Sequence, residues 1–171
     1  SGIYWYNTPY STYSVNIWGH AGSNSLEGGV RFRAVAVAQA TVISSATLTL
    51  VVNKVTGSPS IKIYGDDVDD AALWANGSRP SQVTKTTATL AWLETSTGTK
   101  NLSITSIIQE IVDRAGWASG NDMRFALLNQ LGSGDHAVDV WDRKAGTTNA
   151  PVLTINFGAG VSITNYRSLL G

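Results

Sequence analysis

The sequence predicts an all-β fold: an antiparallel β-sandwich, jelly-roll-like, with one amphipathic helix near residues 103–115. Two observations carry this. About eight short stretches alternate apolar and polar residues and are bounded by Gly, Pro, Asn or Asp turn signals. Only one stretch has a clean helical period, and four of its five apolar positions are Ile, a mediocre helix former by itself. Such a helix needs a surface to lie on, and everything around it reads as strand.

Taken in order, residues 1–29 are aromatic and turn-rich, with short strands expected at 3–6 and 14–18 and a loop at 19–29. Residues 30–37 alternate, with Val30, Phe32, Ala34 and Ala36 on one face and Arg31 and Arg33 on the other. Residues 45–55 are the strongest strand, with Ala46, Leu48, Leu50 and Val52 inward. Thr56-Gly57-Ser58-Pro59 turns the chain, and 60–64 return with Ile61 and Ile63 inward. Residues 65–80 break the period and read as a loop with one helical turn around Ala71–Trp74. Residues 84–93 form a strand with Ala88, Leu90 and Trp92 on one face, and 95–100 a polar loop.

The helix follows. Ile104, Ile107, Ile108, Ile111 and Val112 form the i, i+3, i+4, i+7, i+8 stripe of a buried face. Ser103 is placed to cap the N-terminus, Gly116 to end the helix in a left-handed conformation, and Glu110 to face solvent. Strands are expected at 123–129, 136–142 and 152–157, with residues 158–171 as a less periodic arm. No internal repeat is visible, and the 171 residues suit a single domain spanning 1–171.

Composition bounds the function. Charged residues are 14% of the chain, against about 25% in ordinary globular domains. Low charge with abundant Thr, Ser, Asn and Gly is typical of extracellular or particle-bound β-proteins. The 12 basic and 12 acidic residues cancel and are scattered, so no nucleic acid is expected as partner. There is no cysteine, which excludes disulfides and thiol chemistry. No apolar run approaches the roughly 20 residues of a membrane-spanning helix. Ser1-Gly2 reads as the remnant of a cleaved tag, so a domain cut from a longer chain is expected.

The pattern Val30-Arg31-Phe32, Val42-Ile43-Ser44-Ser45-Ala46-Thr47-Leu48-Thr49-Leu50, Leu90-Ala91-Trp92, Ser106 through Asn121 with its Arg114-Ala115-Gly116-Trp117, and Ala150-Pro151-Val152-Leu153-Thr154-Ile155 covers residues 30–157. It resembles the DNRLRE-like, carbohydrate-binding-module-like β-sandwich domains of bacterial surface proteins and tailed-phage virion proteins. The helix followed by Gly-Trp is its most specific part. The resemblance implies a non-catalytic jelly roll on a secreted or virion protein, with glycan binding in some relatives, and Trp117 packed beside the helix end. It does not reach the N-terminal aromatic stretch or the arm.

The residues themselves offer few catalytic candidates. His20 and His136 lie in no nucleophile elbow or zinc motif and read as surface or turn histidines. The expectation is therefore not an enzyme; a glycoside-active enzyme would need two carboxylates that meet only in space. Asp66, Asp67, Asp69 and Asp70 are the best metal candidates, with calcium as the cation, although the run lacks the Gly and the closing Glu of an EF-hand loop. The competing reading is a solvated acidic loop. Six tryptophans are many for this length. Trp92 is in phase with the core. Trp5, Trp18, Trp74 and Trp141 are the candidates for ligand binding, because sugar rings stack their C–H faces on exposed aromatic planes. The expected function is a non-catalytic binding module at the cell or virion surface that contacts a glycan or host-surface polysaccharide. The alternative is a structural virion decoration or fibre domain whose aromatics meet other subunits.

Overall fold

The computed structural model describes residues 14–19, 27–74, 79–130, 136–141, 148–158 and 161–167. The expected strand at 3–6, together with Trp5 and His20, lies outside them.

Among the described residues, ten strands and one α-helix follow in chain order: β1 (Ser14–Gly19), β2 (Gly28–Phe32), β3 (Ile43–Thr56), β4 (Ser60–Asp66), β5 (Lys85–Leu93), β6 (Gly98–Ser103), α1 (Thr105–Val112), β7 (Met123–Asn129), β8 (His136–Trp141), β9 (Val152–Phe157) and β10 (Val161–Arg167). A short 3-10 turn at Pro80–Gln82 precedes β5.

The first eight strands form one long hairpin rolled up on itself. β1 pairs with β8, β2 with β7, β3 with β6 and β4 with β5, all antiparallel. Rolling adds the pairings β3 with β8 and β4 with β7. Two sheets result, β1-β8-β3-β6 and β2-β7-β4-β5, which is the jelly-roll arrangement. The hairpin β9–β10 extends the first sheet. Val52 pairs with both Gly98 and Val140, and Thr47 with both Ser103 and Thr154. β8 and β9 therefore lie end to end along the same edge of β3, opposite β6.

Alternation builds the core between the sheets. Ala46, Leu48, Leu50, Val138, Val140, Leu153 and Ile155 are buried from one sheet; Val30, Phe32, Ile61, Ile63, Phe125 and Leu127 are buried from the other. The Phe32 and Phe125 rings meet at 5.9 Å in a tilted geometry. Trp92 is buried, as its phase predicts.

The helix covers one end of this core with Ile107, Ile108, Ile111 and Val112 buried. It lies directly on β4 at Gly65: a Cβ there would approach Ile107 Cγ2 to 2.8 Å and Ile111 Cδ1 to 2.9 Å. Its ends differ from the sequence reading. Ser103 belongs to β6, where it pairs with Thr47, and Ile104 is the N-terminal flanking residue with no side-chain cap. Instead the Ala46 N–H donates to Thr105 Oγ1 and the Ile104 N–H to the Ala46 carbonyl, each at 2.9 Å. Gly116 does not adopt a positive φ. It is glycine because a Cβ would run into the Asp69 carboxylate.

Other departures have equally local causes. Residues 33–37 leave the ladder: Ala34 takes a φ of 51°, the phase slips by one, and Val35 and Val37 are buried instead of Ala34 and Ala36. The second half of the expected polar loop at 95–100 belongs to β6, an edge strand, and the expected arm carries β10. β6 buries only Leu102, so its sequence does not alternate. The helical turn expected around Ala71–Trp74 is absent.

Candidate functional site

Three regions concentrate chemistry: the acidic loop, a buried carboxylate at the rim, and the outer face of the larger sheet. The four aspartates of the loop do not converge on one point. Asp66 is buried and accepts from Arg124 Nε at 2.5 Å. Asp67 and Asp69 both accept from Arg114, at 2.5 and 2.7 Å. Asp70 accepts from the Asp122 N–H at 2.8 Å. Asp122 in turn pairs with Arg31 and accepts from the Ala34 N–H. Hydrogen bonds donated to Asp67 and Asp69 raise the Arg114 guanidinium further above its already high pKa.

These bonds make the acidic run a clasp that ties residues 66–72 to the segment after α1. Among the described residues no group of three or more His, Asp or Glu is arranged to hold a metal ion. The aspartates' mutual repulsion is offset by arginines that the sequence reading did not assign to them. Asp66 Oδ1 and Trp74 Nε1 are the two buried polar side-chain atoms without a partner among the described residues.

Trp74, expected as an exposed sugar platform, is 9% exposed and packs with Val83 and Ala126. One side of its ring carries the Arg124 guanidinium, 4.5 Å from the centroid. Gly29 backs it, where a Cβ would come within 2.6 Å of the ring. Burial and these neighbours leave no free ring face for a sugar. Its burial is tertiary: the loop after β4 folds back over the outer face of β2 and β7.

Glu94 was not singled out from sequence, yet it is 4% exposed and fully engaged. It accepts from Trp92 Nε1 at 3.0 Å and from the Thr95 and Ser96 N–H groups at 2.8 Å, and pairs with Lys100 at 3.0 Å. Burial alone would raise this carboxyl. The bonds from Ser96, Lys100, Thr95 and Trp92 outweigh it and hold the pKa below the usual glutamate range. A depressed folded-state pKa stabilises the fold above the unfolded value, and that contribution disappears as pH falls through the folded one. Glu94→Gln is therefore expected to melt lower than wild type at pH 7 and to lose part of the acid-side slope. Thermal melts between pH 7 and pH 3 measure it; parallel curves for the two proteins would refute the assignment.

Glu110, expected to face solvent, is half-buried and accepts from the Thr87 and Ala88 N–H groups of edge strand β5, both at 2.7 Å. Gln109 bridges the Ile43 N–H, the Thr41 carbonyl and Asp113. An open depression beside α1 is lined by these residues with Ile43, Thr105 and Ser106. Its Gln and Glu side chains are already committed to backbone.

The outer face of the larger sheet is different. Between the buried positions of β3, β6 and β9 stand Ser45, Thr47, Thr49, Asn101, Ser103, Thr154 and Asn156, all half-buried or exposed. Thr49 Oγ1 donates to Asn101 Oδ1, and Asn156 Nδ2 to Ser45 Oγ, both at 2.8 Å. None of these positions on β3, β6 and β9 is charged; Lys54 and Asp139 lie beyond the field, paired in register. Burial raises the Asp139 carboxyl against the pull of Lys54. Trp141 ends β8 in the phase opposite to buried Val138 and Val140, so it stands half-buried on this outer face. Val140 pairs with Val52, and the next step of that ladder is level with Val51 at the middle of β3. Trp18 lies in β1 opposite Ala137.

Of the four candidate tryptophans, the structure thus leaves Trp141 beside an uncharged hydroxyl and amide field, buries Trp74, and gives no side-chain placement for Trp18 or Trp5. No helix among the described residues is long and apolar enough to cross a membrane. No protein-family model matches this chain, and no curated protein matches it either.

Proposed function

We propose that this protein is a non-catalytic binding module that holds an uncharged glycan on the outer face of its larger sheet, at the surface of a cell or virion. The observation that carries the reading is Trp141, half-buried in the outward phase of β8 and level with Val51, on the same sheet face as the paired hydroxyl and amide of Thr49 and Asn101. An aromatic plane accepts the C–H face of a sugar, and Thr and Asn side chains exchange hydrogen bonds with its hydroxyls. A rigid jelly roll holds these groups in place, so little ordering is required on binding. Low overall charge and the resemblance to surface and virion domains support the same reading.

The test is a glycan array probed with wild type and Trp141→Ala. Binding of neutral oligosaccharides by wild type, reduced about tenfold or more in Trp141→Ala, is expected from the loss of one aromatic stacking partner and its buried area. Unchanged binding would defeat it. A structural role in an assembly uses the same uncharged face. Self-association in light scattering that vanishes in Thr47→Lys/Thr154→Lys, with no glycan signal, would favour that role instead.

A further inference from the structure

We propose that the open half of strand β5 is the surface through which two copies of this chain pair, edge to edge and antiparallel, about a two-fold axis at Ala91. The register fixes which backbone groups are free. The Glu94 N–H donates to the Pro59 carbonyl at 3.2 Å, continuing the ladder that sets Leu93 opposite Ser60. Bonded and non-bonded positions alternate along an antiparallel pair. Trp92 with Ile61 and Leu90 with Ile63 therefore exchange bonds, and Thr89, Ala91 and Leu93 turn their N–H and carbonyl groups away from β4. The other side of β4 agrees, because Ser60 accepts from the Gln130 N–H at 2.7 Å, just past the end of β7. Thr87 belongs to the same outward phase, and its N–H goes to Glu110 of α1 together with that of Ala88. The helix thus closes the β5 edge as far as Ala88. Among the described residues no strand pairs with the edge from Thr89 to Leu93.

Nothing guards this half of the edge. Strand edges are ordinarily protected by charge, proline or a bulge. The irregularity of β5 lies upstream, between Lys85 and Thr89, and residues 86–93 contain no charge and no proline. Thr89 and Ala91 are exposed, and Leu93 is 67% exposed. A second copy fits this edge by symmetry. An antiparallel two-fold at Ala91 sets Ala91 against Ala91, and Thr89 against Leu93 of the second copy. Every outward-turned residue then meets another, for about six backbone hydrogen bonds. The small Ala91 side chain lies on the axis, exposed Leu93 covers a threonine, and no like charges meet. The pairing ends at Leu93. Beyond it the Thr95 and Ser96 N–H groups fold onto the Glu94 carboxylate and the chain leaves for β6 in the larger sheet. That is the level at which α1 of the second copy closes its own β5. The outer face of the larger sheet stays uncovered, so the pairing does not rest on the Trp141 reading.

The experiment is sedimentation velocity of the full 171-residue protein across the micromolar to millimolar range. A monomer–dimer equilibrium is expected. Ala91→Pro removes an N–H that faces the open edge, where proline is tolerated, and should leave only monomer. Thr89→Lys/Leu93→Lys sets like charges opposite each other across the axis. It should dimerise about tenfold or more weakly than Thr89→Lys/Leu93→Glu, in which the same positions attract. Both substituted side chains are exposed, and matched melting curves confirm that the variants fold. Thr47→Lys/Thr154→Lys, on the other sheet, should dimerise as wild type does. Monomer at every concentration, a dimer that survives Ala91→Pro, species larger than a dimer, or equal affinities for the two charged variants would overturn the proposal. So would loss of the dimer in Thr47→Lys/Thr154→Lys, which would move the interface to the larger sheet.

Discussion

Replacing Trp117 with alanine is expected to cost about 3–5 kcal/mol, a large part of the roughly 5–15 kcal/mol that holds a domain folded. The side chain is 3% exposed and joins the main core directly after the helix. Its Nε1–H donates to the Val37 carbonyl at 2.9 Å. That bond ties residues 35–37, which have left the ladder, to the segment after α1. The Val35 N–H to Asn121 and the Gly120 N–H to Val35, both at 2.9 Å, complete the attachment. Alanine removes the buried area, leaves a cavity under the helix end, and orphans the Val37 carbonyl. Trp117→Phe separates these effects: it keeps most of the ring and loses the bond, for about 1–3 kcal/mol. Urea unfolding of the three proteins measures the series. Equal stabilities for Phe and Ala would show that the hydrogen bond, not packing, dominates.

The second large effect is expected at Arg124. Arg124→Met leaves Asp66 buried without its counter-charge, which should cost about 3–5 kcal/mol. For a chain of this size that lowers the melting temperature by about 10 °C or more. The guanidinium also donates to the Ala72 carbonyl at 3.2 Å and covers Trp74, so the loop after β4 should loosen as well. The paired variant Asp66→Leu/Arg124→Met removes both charges and is expected to recover much of the loss, because an apolar pair does not need counter-charge. A double-mutant cycle decides it. A paired variant no more stable than Arg124→Met alone would show that the ion pair is not what the site depends on.

Much of the fold is legible in the sequence where a residue's environment is set by its own strand. β4, β7 and β9 sit between partners and bury one face, so Ile61 and Ile63, or Leu153 and Ile155, repeat at every second position. β6 offers one buried side chain, Leu102, because it lies at an edge and is polar on both faces. The helix stripe was legible; its start was not. Ser103 has the chemistry of a cap, but its backbone is claimed by Thr47 of β3, 56 positions earlier in the chain, as the difference of the two numbers shows.

The candidate sites follow the same division. A run of four aspartates shows that negative charge must be offset, but not by what. Arg114 and Arg124 lie 45 to 58 residues away, and only folding brings them in. Trp74 and Trp141 are equivalent as letters. One is packed under its own loop on the outer face of β2 and β7, and the other ends β8 in the outward phase of the larger sheet.

By itself the sequence determined the class of this protein: two sheets and one helix, a low-charge surface, and a core read from alternation, since burial at every second residue is a local property of a pleated strand. Only the tertiary structure decided which carboxylates are neutralised and which aromatics are buried. Those properties depend on neighbours brought together across sheets, and no spacing along the chain encodes them.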